Sequence, residues 1–332
     1  MTSLNDIAGE LGRGRRFLIV GHVMPDGDCI GSMLALGLAL ERAGKETVLA
    51  LPGAVPSVYS FLPAVDRILV RPTLKDLGPK DFSAVLILDT SVPDRLGDLA
   101  PLIGALRAAG VPAILIDHHV SASLYADVNF IDPEAAAVGE IIFDLLKVLG
   151  YGIDRMIATC LYVAVATDTG GFRYETTTAT THRRIADFIE AGANVRDISL
   201  RVFEEKPLKS IEALKAALDT LELSPCGRVA WMSLTRETAE RLNLADEHTD
   251  GIVSYGRMIR GVEVALFFRE TGNGQVKVSF RSKNFVDAVR LAARFGGGGH
   301  PRAAGAVVTG EMDRIKMEVI AAAIAAVREE GQ

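Results

Sequence analysis

Three short apolar runs in this chain stop at acidic or imidazole side chains, and that pattern limits the fold more than any other feature. Phe17–Val20 leads into His22, Asp26 and Asp28 of GHVMPDGD; Val85–Leu88 stops at Asp89; Ala113–Ile116 stops at Asp117-His118-His119. Aliphatic runs of this length, separated by stretches of helical periodicity, are the pattern of βαβ units and a parallel sheet. In open α/β sheets ligands bind in the crevice outside the carboxyl ends of the strands. A fourth apolar segment, Met156–Ala166, leads to Asp168 in ATDTGGF. Four segments that deliver Asp or His to one edge point to a polynuclear metal site.

The pattern predicts strands at Arg16–Val20, Glu46–Leu51, Ile68–Val70, Ala84–Leu88, Pro112–Ile116 and Asp127–Ile131. Helices are predicted at Cys29–Ala43, Asp98–Ala109, Ala135–Leu149, Asp154–Ala166, Thr180–Ala191 and Val195–Glu204. Pro207–Leu221 is helical and amphipathic and reads as a connector, with a boundary at Ser224-Pro225-Cys226-Gly227. Beyond it, strands are predicted at Arg228–Leu234, Val262–Arg269, Gln275–Arg281 and Ala304–Thr309. Helices are predicted at Arg236–Leu242, Thr249–Met258 and Val286–Phe295, with a last one from Met312 to about Val327. Thr271–Gly274 reads as a hairpin turn. The expected fold class is therefore α/β: an N-terminal parallel-sheet domain over 1–205, a connector over 206–226 and a smaller α/β domain over 227–332. The active site is expected in a cleft between the two domains.

A chain of 332 residues is long enough for two cores. Its net charge of −6 argues against a protein that coats long polyanions. A small phosphorylated substrate remains compatible, because metal ions supply positive charge locally. The three cysteines, Cys29, Cys160 and Cys226, are scattered and read as small apolar residues in a reducing cytoplasm. The N-terminus lacks the apolar core of a signal peptide, and no stretch has the roughly 18 uninterrupted apolar residues of a membrane span. A soluble, cytoplasmic protein without membrane attachment is expected.

In His22-x3-Asp26-x-Asp28, Gly27 allows a tight bend between a strand and a helix. Capping of that helix by Asp26 or Asp28 is the plainer role for either residue. Asp89 has a similar plain role as the cap of a turn. Asp168 follows a long apolar segment, and a buried carboxylate there requires a metal or a donor. Of six histidines, His22, His118, His119 and His300 lie in motif-like contexts. Oxygen-rich ligation with some imidazole suits Mn²⁺, and after it Co²⁺ or Mg²⁺. No cysteine pair has zinc-finger spacing. The second signal is Phe295-Gly296-Gly297-Gly298-Gly299-His300, whose glycine N–H groups can cradle an oxyanion beside His300 and Arg302. Arg281-Ser282-Lys283 closes a strand nearby in sequence.

HVMPDGD, LILDT, IDHH and ATDTGGF together resemble the four motifs of the DHH phosphoesterase superfamily. VKVSFRS and FGGGGHPRAAG resemble the DHH-associated C-terminal domain, so the likeness extends over nearly the whole chain. Within the superfamily the chain is most similar to the bacterial oligoribonuclease (nano-RNase) and pAp phosphatase subfamily. The resemblance implies two divalent ions, one held by His22, Asp26 and Asp89 and the other by Asp28, Asp89, His118 and Asp168. It implies that His119 contacts the scissile phosphate or protonates the leaving oxygen, with Asp117 as its support. Arg281, Ser282, Gly297, Gly298, Gly299, His300 and Arg302 would then bind the phosphate or nucleotide that is not cleaved. The implied substrates are short RNA oligonucleotides and 3′-phosphoadenosine 5′-phosphate (pAp), and a homodimer is compatible with the resemblance. Two other readings compete: hydrolysis of cyclic di-AMP or pApA, and a nucleotide-binding sensor without turnover. The intact ligand set disfavours the sensor.

Overall fold

The computed structural model describes residues 2–77, 82–120 and 122–331, apart from the side chains of Leu74, Asn273 and His300. The chain divides into two compact units, Met1–Glu205 and Lys206–Gln332.

The first unit opens with α1 (Leu4–Arg13), started by a capping box in which Ser3 and Asp6 satisfy each other's backbone N–H groups. This helix is not among the expected elements, although Leu4, Ile7, Ala8 and Leu11 recur at helical spacing and pack on the core. Six strands follow: β1 (Arg16–Val20), β2 (Glu46–Leu51), β3 (Leu69–Val70), β4 (Ala84–Leu88), β5 (Ala113–Asp117) and β6 (Val128–Ile131). They form one sheet of order β3-β2-β1-β4-β5-β6, and its pairings are parallel. The helices are α2 (Gly27–Arg42), α3 (Leu74–Leu77), α4 (Ala100–Ala108), α5 (Val138–Val148), α6 (Arg155–Asp168), α7 (Ala179–Glu190) and α8 (Val195–Ser199). The single helix expected over Val195–Glu204 is α8 followed by a π-helical turn, Leu200–Glu204.

Strand residues alternate between two cores, as the period of two requires. Phe17, Ile19, Leu86 and Ile114 join residues of α2, α5 and α6. Leu18, Val20, Val85 and Leu115 join Leu102, Ile103 and Leu106 of α4. Burial on both faces explains why the strands read as unbroken apolar runs. β1 lies between β2 and β4, so the strand order reverses there. With β5 next in line, the segments that follow β1, β4 and β5 leave one edge side by side. Glycines let α2 press against α6. A Cβ on Gly31 would lie 2.4 Å from the Cys160 carbonyl oxygen, and one on Gly27 2.4 Å from Thr167 Oγ1.

The second unit comprises α9 (Leu208–Leu218), β7 (Glu222–Leu223), β8 (Val229–Leu234), α10 (Arg236–Arg241), α11 (Ile252–Met258), β9 (Val264–Glu270), β10 (Gln275–Ser282), α12 (Ala288–Ala293), β11 (Gly298–His300), β12 (Ala303–Thr309) and α13 (Met312–Glu330). The sheet order is β11-β12-β10-β9-β8-β7. β8 and β9 run parallel and the other pairings are antiparallel. Val276, Val278 and Phe280 face α12 and α13. Ala213 and Ala217 of α9 pack with Met232, Leu234 and Phe267 on the other face. The segment expected as a connector is thus part of this unit's core. The helix expected from Thr249 begins only at Ile252, because Gly251 adopts φ 81°. Cys29 and Cys160 are buried as expected, but Cys226 is exposed. No helix among the described residues is long and apolar enough to cross a membrane.

Candidate active site

The parallel sheet delivers its chemistry through the loops after β1, β4 and β5. His22 follows β1, Asp89 follows β4, and Asp117 ends β5 with His118 and His119 behind it. Asp26 caps α2 by accepting the Cys29 N–H at 3.1 Å, so its plainer role is real. Asp28 sits in the first turn of that helix, and Asp168 is the last residue of α6.

These side chains converge. His22 Nε2 lies 3.3 Å from Asp89 Oδ2 and 3.9 Å from Asp26 Oδ1. His22 Nδ1 lies 2.7 Å from the Val23 carbonyl and 2.8 Å from the Arg95 guanidinium. When Nδ1 donates to Val23, Nε2 presents a lone pair toward Asp89. His118 Nδ1 lies 3.1 Å from the Ala135 carbonyl, while its Nε2 faces Asp168 Oδ2 at 3.3 Å, Asp89 Oδ1 at 3.9 Å and Asp28 Oδ2 at 4.0 Å. Asp28 is fixed from behind by N–H groups of Val138 (2.6 Å) and Gly139 (2.9 Å) and by the Ser32 hydroxyl (3.0 Å). Asp117 Oδ1 accepts the N–H groups of His118 (2.6 Å) and His119 (2.9 Å) and lies 2.6 Å from His119 Nδ1.

The electrostatics are those of a site built for cations. Asp28, Asp89 and Asp117 are buried. Burial first, and then the neighbouring Asp28, Asp26 and Asp168 carboxylates, push the pKa of Asp89 well above the usual range. Burial and Asp28 likewise raise Asp168 to about 8. Burial opposes the charge of Asp117 too, but the hydrogen bonds from His119 and the charges of His119 and His118 together outweigh it and keep Asp117 below the usual range. Asp89 Oδ1 is buried with no hydrogen-bond partner. Asp89 also holds φ at 54°, a left-handed backbone that aspartate tolerates better than bulky residues do. An orphaned carboxylate oxygen among crowded carboxylates and imidazoles fits a divalent cation. Three groups of ligand-type atoms, each within 4.8 Å, form among the described residues: His22–Cys29–Asp89, Asp89–His118–His119 and Asp28–His118–Asp168. Asp26 joins none of them. Cys29 is the residue that sequence reasoning passed over, although it adjoins Asp28 in the first motif.

In the second unit, strand register brings several of the remaining residues together. Arg281 on β10 pairs with Ala303 on β12, which pairs with His300 on β11. The side chain of His300 lies outside the described residues. Arg302 donates to the Val286 carbonyl at 3.1 Å. Ser282 is fully buried, and its hydroxyl donates to the Pro301 carbonyl at 3.2 Å, so it fixes the strand end. The glycine run is not the open cradle expected from sequence. The N–H groups of Gly296 and Gly297 close α12 on Ala293 and Ala292. A Cβ on Gly297 would lie 2.3 Å from the Gly305 carbonyl oxygen. Gly298 and Gly299 belong to β11, where a Cβ on Gly298 would meet nothing within 4 Å.

Known proteins agree with this architecture. The model of the DHH family N-terminal domain matches residues 16–165, and that of the DHHA1 domain matches residues 235–330. The bifunctional oligoribonuclease and PAP phosphatase NrnA of Thermus thermophilus is 32% identical over 318 residues, 94% of this chain and 89% of that protein. The Bacillus subtilis protein of the same name is 27% identical, over 89% of this chain and 90% of its own length. The crystal structure of an exopolyphosphatase-related protein from Bacteroides fragilis superposes with a TM-score of 0.90 at 26% identity, covering 98% of this chain and 95% of that one. The chain belongs to the DHH phosphoesterase family, in the branch that contains the bifunctional oligoribonuclease and PAP phosphatases.

Proposed function

We propose that this chain is a two-metal phosphoesterase that hydrolyses short oligoribonucleotides and pAp, with Mn²⁺ as its preferred ion. The observation that carries the reading is the convergence of His22, Asp28, Asp89, His118 and Asp168, in which Asp89 keeps one buried oxygen without a hydrogen-bond partner. His22, Asp26 and Asp89 would hold one ion, and Asp28, Asp89, His118 and Asp168 the other. When bound, such ions polarise the phosphoryl oxygens and lower the pKa of nearby water.

The protein's own groups do the rest. The Val138 and Gly139 N–H groups hold Asp28 in place, and the Ala135 carbonyl orients His118. His119, positioned through Nδ1 by Asp117, exchanges a proton at Nε2 with the leaving ester oxygen. A water oxygen adds to phosphorus as the P–O ester bond breaks, so a diester yields a phosphomonoester and pAp yields inorganic phosphate. Arg281, Arg302, His300 and the β11 backbone at Gly298 and Gly299 anchor the phosphate that is not cleaved. The names of the NrnA relatives, which pair oligoribonuclease with PAP phosphatase, support this substrate class.

Turnover of pAp, a diribonucleotide, a pentaribonucleotide, a long strand and cyclic di-AMP, measured with Mn²⁺ and with chelator, tests the reading. Metal-dependent release of phosphate from pAp, and hydrolysis of the two short RNAs faster than the long one, are expected. Turnover confined to cyclic di-AMP, or rates that rise steadily with length, would overturn it.

A further inference from the structure

We propose that Cys29 is a donor to the ion held by His22, making that position a nitrogen–sulfur–oxygen site that accepts thiophilic divalent ions such as Zn²⁺ and Co²⁺. The inference rests on the metal-dependent reading above and adds a ligand to it.

Geometry carries the inference. The donor atoms that gather around His22 belong to His22, Cys29 and Asp89, all within 4.8 Å of one another. Asp26 Oδ1 lies 3.9 Å from His22 Nε2 but also accepts the Cys29 N–H, and it does not complete a group with His22 and Asp89. His22 and Cys29 are fully buried and Asp89 is 2% exposed. Asp89 turns Oδ2 toward this trio, 3.3 Å from His22 Nε2, and Oδ1 toward His118 and His119, so one carboxylate can serve both ion positions. The sulfur is held in place. A Cβ on Gly21 would lie 2.2 Å from Cys29 Sγ, so the thiol packs directly on the backbone that precedes His22. Met33 Sδ touches it from the next turn of α2 at 3.9 Å. Service as a small apolar residue explains the Met33 contact. It does not explain why the sulfur lies with a carboxylate and an imidazole.

On coordination the metal–sulfur bond forms, the S–H bond breaks and the proton leaves to solvent; no electron is transferred. A thiolate shifts preference toward softer ions that accept tetrahedral geometry, and Zn²⁺ outranks Mn²⁺ in affinity at a given site. Zn²⁺ is therefore expected to displace Mn²⁺ from the His22 position.

The test uses the full-length protein freed of metal and titrated with Co²⁺, with bound metal quantified by plasma mass spectrometry. Wild type is expected to show a thiolate-to-cobalt charge-transfer band in the near ultraviolet. Cys29→Ser and Cys29→Ala should lose that band and keep visible cobalt absorption. Changes outside the coordination sphere alone cost roughly 10–100-fold in metal affinity, so Cys29→Ser should bind Zn²⁺ at least that much more weakly. X-ray absorption of zinc-loaded wild type requires no variant and should show a sulfur neighbour at about 2.3 Å. Filled sites with only nitrogen and oxygen neighbours, or a cobalt spectrum unchanged by Cys29→Ser, would overturn the inference and leave the two-metal reading standing. Failure of wild type to bind Co²⁺ at all would overturn both.

Discussion

Replacing Glu263 by glutamine removes one charge next to the candidate anchoring residues and leaves the side-chain volume almost unchanged. Glu263 is 3% exposed. Its Oε1 accepts the N–H groups of Asn284 (2.9 Å), Phe285 (2.8 Å) and Val286 (3.1 Å), and its Oε2 accepts Asn284 Nδ2 (3.1 Å). Burial alone would raise its pKa, but the donors outweigh burial and hold it below the usual carboxylate range. A hydrogen bond to a charged acceptor is worth about 1.5–3 kcal/mol and one to a neutral acceptor about 0.5–1.5 kcal/mol. Glutamine keeps three of the bonds as neutral ones, at a loss of about 1 kcal/mol each, and turns its NH₂ toward that of Asn284. With the fourth bond lost outright, the expected destabilisation at neutral pH is about 4–6 kcal/mol. Because the folded pKa lies below the unfolded value of about 4.3, the carboxylate's contribution is complete above that value. It is lost as pH falls through the folded pKa, so wild type and variant should converge in acid. Trp231 on β8 is the only tryptophan, so its fluorescence during urea unfolding reports on this unit. The Glu263-clamped loop also carries the Val286 carbonyl that holds Arg302, so KM should rise more than kcat falls. A difference under about 1 kcal/mol at neutral pH, or one that persists in acid, would refute the reasoning.

Gly31→Ala places a methyl 2.4 Å from the Cys160 carbonyl oxygen and should cost about 1–3 kcal/mol, read from chemical unfolding by circular dichroism. Arg281→Ala should raise KM for pAp and for a dinucleotide more than it lowers kcat, as steady-state kinetics will show. Asp28, Asp89 and Asp168 have folded pKa values above their unfolded values, so the folded metal-free protein binds more protons. Its stability should therefore fall as pH rises from about 4 toward 8, and stabilisation by Mn²⁺ should grow over the same range in thermal melts with and without chelator.

The site in the first unit was readable because its chemistry sits at the ends of apolar runs. His22, Asp89 and Asp117 mark strand ends locally, and a parallel sheet leaves few ways to arrange them. Asp26 shows that a plain role and a functional one can share a side chain, since it caps α2 and also faces His22. Cys29 was not readable. Its residue type suits a core, and only the packing of the α2 N-terminus on Gly21 brings its sulfur to His22. The glycine run misled for a related reason. The partners of Gly296 and Gly297 are carbonyls of α12, and the close neighbour of Gly297 is Gly305 on another strand. The contact with Gly305 has no local signature, whereas closure of α12 by Gly296, at φ 73°, is the usual glycine helix end.

The most direct test of the central claim is metal stoichiometry together with turnover in Asp89→Ala, the residue shared by both proposed ion positions. After equilibrium dialysis against Mn²⁺, wild type should bind two ions and hydrolyse pAp. Asp89→Ala should lose both ions, with turnover down by about 10²–10³-fold or more. An Asp89→Ala protein that keeps two ions and turns over normally would contradict the account.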